Sequence, residues 1–402
     1  MRHLIIVCSF SVFLSVFSFL SAQESLEDKP KAETKITIPD GSLEELYEFV
    51  AKYDKELQNQ MRLGQLLPQQ TPSMVAVQEA CAKILADPTI SNEFRLWALK
   101  KGAQAQIMLA YADPSKYYGK LLAAVDDYEE QEGCKNIVKT VENHVLKLGI
   151  LIVTAPKDPE NPKPLKLNFN VFVDRLLFYL ETYPEPESRL LTTQLITAVK
   201  ATPPIQRDRM MSVIAERLTP YYLQSKDARD RDLGRELQGT GRLLSLPGKP
   251  MPLEGVLPSG ELFDSQTLKG KVVLVQFWEP TCIHCRAAMP LFAEFLELYE
   301  KKGFEVVGVC TQGGAKAVQD FIKRTPLPNA NRITWPILVD ELAPKAGLTR
   351  LAEYFNITET PVVVLIDRSG NVVRVNPLPS ALPLEIEQVL YPKTVDETVD
   401  DE

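Results

Sequence analysis

Histidine is scarce in this chain: among 402 residues there are three, His3, His144 and His284. Metal sites built on imidazole need several ligands converging, so most histidine-based metal chemistry is excluded, and neither a metal nor a bound cofactor is expected. Basic residues do not dominate either. Lys and Arg number 45 against 53 Asp and Glu, a formal charge of −8, and they form no stripe suited to neutralising nucleic-acid phosphates. Nucleic-acid binding is therefore disfavoured. Beyond residue 22 no apolar run approaches the length of a membrane-spanning helix. No sustained repeat is present: "ADP" recurs at Ala86 and Ala112, and two three-residue matches do not establish a period.

What the chain does have is length enough for two or three cores. Its start combines Arg2 with an apolar run from Leu4 to Leu20 and the small residues Ser21 and Ala22. This reads as a secretory signal over residues 1–22, with an uncleaved membrane anchor as the alternative. Either reading puts the body of the protein outside the cytoplasm, periplasmic or otherwise exported, and it touches a membrane only if the signal is retained. Residues 23–41 read as a flexible segment, and the acidic end "TVDETVDDE" places a disordered tail at 393–402. Cys8 leaves with the signal, so five cysteines remain in a compartment where disulfides persist. Five is odd, and at least one thiol is unpaired within the chain.

From residue 42 to residue 237 apolar residues recur at helical spacing, as in Leu43, Leu46, Val50, Tyr53 and Leu57. Further amphipathic segments, near Met74–Leu85, Phe94–Tyr111, Tyr118–Tyr128, Ile137–Ile152, Phe169–Leu180, Leu190–Val199 and Met210–Leu223, predict an all-helical domain stacked as a bundle or short solenoid. The Pro-rich "APKDPENPKPLK" reads as a long loop within it. Cys81 and Cys134 continue apolar stripes and are expected as packed core thiols; a bridge between them stays open, because sequence does not place two helices within the ~7 Å between Cα atoms that a disulfide needs. His144 falls on a mostly polar helical face and reads as an exposed or capping residue.

A linker at 238–250 separates this domain from one at 251–392, where strands alternate with helices. A hairpin around "LPSGEL" precedes strands at Val272–Trp278, Phe304–Cys310, Ile333–Val339, Val362–Asp367 and Val372–Asn376, with helices between, one of them near Leu348–Phe355. The first strand hands over to a helix at "CIHC", residues 282–285. A helix N-terminus stabilises a nearby thiolate through unpaired N–H groups and the positive end of its dipole, so Cys282 is the nucleophile that would form a mixed disulfide. Cys285, one helical turn later, would resolve it.

The segment from Leu246 to Pro392 resembles a thioredoxin-fold domain of the TlpA and ResA type. The resemblance rests on the lead-in "GKVVLVQFW", the pair in "CIHC", Pro290 where the family kinks its helix, and "TETPVVVLIDRSGNVV". It implies an α/β domain with a central mixed sheet flanked by helices. It also implies a cis-proline at Pro361, and a substrate groove formed with Thr360, whose backbone pairs with a bound chain, and Trp278. The departures are specific. Gln276 stands where thioredoxin has a buried aspartate, as a neutral amide commonly does in the TlpA branch. Ala288 stands where that branch often carries a glutamate, and Thr281 replaces a tryptophan. His284 resembles the histidine of DsbA-type oxidants. A protonated imidazole there would favour the thiolate and make the disulfide a stronger oxidant, whereas Glu279 would oppose this or relay a proton.

Other readings of the pair fit less well. Haem attachment wants His after the second Cys, where Arg286 stands; zinc wants two further ligands; and a thiol peroxidase, suggested by "EPTC", is a weaker alternative because the peroxiredoxin threonine position is Glu279. Cys310 ends a buried-type strand and reads as a core thiol. The expected function is an exported thiol-disulfide oxidoreductase acting on protein thiols or disulfides through Cys282 and Cys285, recycled by a redox partner. The alternative is an adaptor whose helical domain binds a protein partner, with the thioredoxin-like fold as a tether.

Overall fold

The computed structural model describes residues 36–62, 71–156, 165–324 and 333–392. The signal at 1–22, residues 23–35 of the flexible segment and the acidic tail lie outside the described residues, as do residues 157–164 of the Pro-rich loop. Among the described residues no helix is long and apolar enough to cross a membrane. The chain forms two compact units, one of residues up to Phe172 together with Tyr179–Leu191, the other of Val173–Phe178 together with everything from Thr192 on.

The first unit is helical: α1 (Leu43–Arg62), α2 (Thr71–Leu85), α3 (Asn92–Ala112), α4 (Pro114–Glu129) and α5 (Lys135–Thr154), then the ends of α6 (Phe169–Thr182). Local chemistry sets the starts. Ser42 and Glu45 exchange hydrogen bonds as a capping box, Ser91 accepts from the Phe94 N–H, and Asp113 caps α4 immediately before Pro114. From α1 to α5 each helix packs on the next, and α3 also on α5, around a core that includes Met74, Cys81, Leu99, Leu121 and Val141. Cys81 and Cys134 are both buried and free, so the bridge left open by the sequence is not formed.

His144 corrects its reading. It is half-buried, its Nδ1 3.2 Å from the Tyr111 hydroxyl, and burial pushes its pKa down to about 4. The spacing of α5 alone shows a polar neighbourhood, whereas Tyr111 arrives from α3.

The second unit joins three helices to the sheet domain: α7 (Arg189–Lys200, from Thr192), α8 (Pro204–Leu223) and α9 (Ala228–Leu244). The last of these runs through residues that the sequence reading gave to a linker. "QGTG" looks like a breaker, but Gly239 is where α9 approaches the turn at Asn356: a Cβ on Gly239 would lie 2.6 Å from the Asn356 Cβ. The Asn356 amide donates to Thr240 Oγ1 at 3.0 Å, and the Arg242 guanidinium lies over the Tyr354 ring.

Beyond it come β1 (Val272–Trp278), α10 (Ile283–Tyr299), β2 (Phe304–Cys310), α11 (Gly314–Arg324), β3 (Ile337–Val339), α12 (Leu351–Tyr354), β4 (Val362–Ile366), β5 (Val372–Val375) and α13 (Leu382–Leu390). The sheet order is β3-β2-β1-β4-β5, with β1–β2 and β2–β3 parallel and β1–β4 and β4–β5 antiparallel. This is the mixed, helix-flanked sheet of the thioredoxin-like fold. All seven residues of the central β1 are buried. Because side chains alternate along a strand, Val272, Leu274 and Trp278 face α10, α11 and α13, while Val273, Val275 and Phe277 pack with Leu243, Leu351 and Phe355.

Two elements differ from expectation. The third strand is only Ile337–Val339, because Pro336 has no N–H to offer a ladder; its carbonyl accepts from Gly308, and Ile333 and Trp335 fill the core without pairing. The helix read near Leu348–Phe355 is a short turn over Leu351–Tyr354, started by the buried Asp340 carboxylate, which accepts from the Leu351 and Ala352 N–H groups. The hairpin around "LPSGEL" is present, closed by the Leu257 N–H to the Glu261 carbonyl.

Candidate active site

The buried strand β1 ends at Trp278, and a tight turn follows in which the Cys282 N–H donates to the Glu279 carbonyl at 3.1 Å. Cys282 is extended (φ −73°, ψ 107°) and caps α10: its Sγ accepts from the Cys285 N–H at 3.1 Å. It therefore receives one of the donors that a helix leaves unpaired in its first turn, together with a dipole contribution of ~0.3–1 kcal/mol for a negative charge at an exposed site. The two cysteines form a disulfide with their Cα atoms 5.3 Å apart. They differ in access. Cys282 is partly exposed, whereas Cys285 is fully buried on the inner face of α10.

A second loop completes the site. The Thr360–Pro361 peptide before β4 is cis, and the Thr360 carbonyl oxygen is 3.5 Å from Cys282 Sγ. The Thr360 hydroxyl donates to Glu279 Oε1 at 3.4 Å. The structure thus brings Cys282, Cys285, Glu279, Thr360 and Pro361 to one end of the sheet. His284 is exposed beside them, next to Ile283, which keeps 76% of its surface. Pro290 stands inside α10, as read from the sequence.

Trp278 is a correction. It has no exposed surface and packs against Phe321 of α11 with ring centroids 4.8 Å apart, so its ring lines no open groove. The parity of β1 turns it inward under α11, and sequence parity alone does not say which helix covers that end.

Gln276 was legible as a departure, but its contact was not. Its amide is 1% exposed; Nε2 donates to the Cys285 carbonyl at 3.2 Å, and Oε1 meets no donor among the described residues. The signal available beforehand was a polar residue in the middle of a strand buried throughout, on the same face as Trp278. Cys310, at the end of β2, is fully buried with Sγ 3.0 Å from the Gln312 carbonyl, and burial pushes its thiol up to about 12. It is a core thiol, as expected.

Strand, capping cysteine, disulfide and adjoining cis-proline loop define a thioredoxin-like redox centre. Residues 246–390 match the family model described as Redoxin. Among curated relatives, the thiol-disulfide oxidoreductase ResA of Bacillus cereus is 29% identical over 114 residues, 28% of this chain and 59% of the relative. That of Geobacillus kaustophilus is 28% identical over 107 residues, 27% of this chain and 55% of the relative. The chain thus spans little more than half the length of these curated relatives. Among solved structures, a thiol:disulfide interchange protein of the thioredoxin family from Chlorobium tepidum is 26% identical, covering 36% of this chain and 98% of its own, with a TM-score of 0.29. The thioredoxin domain of a thiol-disulfide oxidoreductase from Bacteroides vulgatus is 23% identical over 36% of this chain and 98% of its own, with a TM-score of 0.31.

Proposed function

We propose that the protein is an exported thiol-disulfide oxidoreductase that exchanges disulfides with protein thiols through Cys282 and Cys285. The observation that carries this reading is the asymmetry of the pair: a partly exposed sulfur capping a helix, bonded to a fully buried one. A substrate thiolate attacks Cys282 Sγ and the S–S bond breaks, leaving its electron pair on Cys285, which takes up a proton. A second substrate thiolate then attacks the mixed disulfide at the substrate sulfur and releases Cys282 as a thiolate, so the substrate is oxidised by two electrons and the pair reduced. Run backwards, the same steps reduce a substrate. The carbonyl of Thr360 beside Cys282 supports a role for the Thr360–Pro361 loop in holding an extended substrate chain at the reacting sulfur. Export is the reading of the apolar run at Leu4–Leu20.

The test is Cys285→Ser expressed with its signal. The expected result is specific proteins held covalently on Cys282 and released by reductant. A chain that exchanges no disulfide and holds only noncovalent partners would overturn the reading in favour of the adaptor. His284 and Glu279 are proposed to set the redox poise. Replacing His284 by Pro is expected to make the couple more reducing in glutathione equilibration, and an unchanged potential would show His284 to be a bystander.

A further inference from the structure

The loop that brings Thr360 and Pro361 to Cys282 starts from a turn at Asn356, which sits in the left-handed region of backbone space (φ 51°). A residue other than glycine enters that region at a cost, and keeps it where its surroundings over-determine it. Here α9 supplies those surroundings. Gly239 lets the helix close on the turn, since a Cβ there would lie 2.8 Å from the Asn356 nitrogen. Thr240 gives its hydroxyl hydrogen to the Glu236 carbonyl at 3.0 Å, which leaves the lone pairs of Oγ1 for the Asn356 amide, donating to them at 3.0 Å. Arg242 holds the turn two residues earlier. Its guanidinium lies 4.4 Å from the centre of the Tyr354 ring and donates to the Tyr354 carbonyl at 3.3 Å, while Leu243 packs in one cluster with Leu351 and Phe355.

This helix ends at Leu244, ahead of the family-matched segment that begins at residue 246, yet it belongs to the same compact unit as the sheet. From Asn356 the chain runs through Ile357 to Thr360, whose carbonyl is 3.5 Å from Cys282 Sγ, and beyond Pro361 it is fixed as β4, where Val362 pairs with Phe277 of β1. One end of the loop is therefore set by the sheet and the other by α9. Lys200 of α7 also meets Glu359 at 3.5 Å, but both are exposed and such a pair holds little. We propose that Thr240 and Arg242 are positioning residues for the substrate loop: through Asn356 and Tyr354 they hold residues 357–360 where the Thr360 backbone receives an extended polypeptide at Cys282. The helical region thereby sets the affinity for protein substrates and leaves the redox couple alone. A small dithiol, which has no chain to lay along the loop, is indifferent to it.

The proposal rests on the oxidoreductase reading, and its test separates the two. Oxidised full-length wild type, Thr240→Val and Thr240→Ser are reduced by a flexible peptide dithiol and, separately, by dithiothreitol. In each case the added thiols end as a disulfide, and Cys282 and Cys285 as thiols. In Thr240→Val, which keeps the shape of the side chain without the acceptor, the half-saturating peptide concentration is expected to rise about fivefold, the equivalent of one net hydrogen bond. The limiting rate, the rate with dithiothreitol and the glutathione potential are expected to match wild type, a split that a general packing defect would not produce. Thr240→Ser keeps the hydroxyl and should restore the wild-type value. If the valine variant does not fold, Asn356→Gly takes its place: glycine keeps the left-handed backbone and removes the donor, and the same rise is expected. An unchanged half-saturation, a rise that serine does not reverse, or a loss confined to the limiting rate overturns the proposal and leaves the oxidoreductase intact. A wild type reduced by neither thiol removes both.

Discussion

Cys134 and Cys282 occupy the same formal position, the N-cap of a helix, in the two units of this protein, and their surroundings are opposite. Cys282 is extended, its sulfur takes the Cys285 N–H, and it reaches the surface. Cys134 has φ −86° and ψ 4°, makes no side-chain capping bond, is 1% exposed, and burial pushes its thiol pKa up. A helix N-terminus favours a thiolate only where the backbone turns the sulfur onto the free N–H groups and leaves it in reach of water; elsewhere desolvation outweighs the dipole.

The largest effect that could break this contrast is all or nothing. Cys282→Ser is expected to abolish disulfide exchange, and Cys134→Ser to leave its rate within about twofold while lowering the stability of the first unit by ~1 kcal/mol through a polar group in a core site. Exchange that survives in Cys282→Ser would move the chemistry to another thiol. Next is reactivity. Burial raises Cys81 and Cys310 to about 12, which at pH 8 leaves each with ~10³-fold less thiolate than an unperturbed cysteine. In the reduced protein, mass-mapped alkylation is expected at Cys282 first, with Cys81, Cys134 and Cys310 labelled only on unfolding. Labelling of Cys134 at the rate of Cys282 would erase the distinction.

A third prediction concerns acid. His144 is held neutral, its pKa at about 4 through burial first and the Lys147 charge second. The unfolded ring titrates near 6.5, so the unfolded chain takes up the proton first as pH falls. Stability from this group is complete above about pH 6.5 and declines by ~3 kcal/mol on the way to pH 4. His144→Gln, which can still meet the Tyr111 hydroxyl, should flatten that part of the profile, measured by Cys81 protection in the first unit. An unchanged slope would place the acid sensitivity elsewhere. The smallest effect is a pair of glycines. Gly119 in α4 faces open space, and Gly119→Ala should stabilise by up to ~1 kcal/mol. Gly239→Ala gains the same helix propensity but meets Asn356, for a net loss of ~1–2 kcal/mol in chemical denaturation. Equal shifts in the two variants would mean that α9 does not depend on that close approach.

The first unit was legible because amphipathic spacing and capping residues act within a turn or two of the chain. The strands of the second were legible because period-two and continuous apolar runs do the same. β3 was overread since Ile333 and Trp335 are apolar for burial rather than pairing, and α9 was cut short because Gly239 carries two meanings, breaker and close contact. Only the neighbour across the gap distinguishes them.

The sequence by itself determined where the two paired thiols lie: "CIHC" after a strand puts Cys282 at a helix start and Cys285 one turn behind it, a matter of three residues and their local hydrogen bonds. What covers each group was decided by tertiary structure. Thr360 comes to Cys282 from 78 residues away, Phe321 closes over Trp278, Tyr111 shelters His144, and Gln276 lies beneath Cys285. Hydrogen-bonded periodicity is a property of neighbours along the chain. Burial, which sets pKa and access, depends on which distant element packs against a side chain, and the local pattern does not contain that.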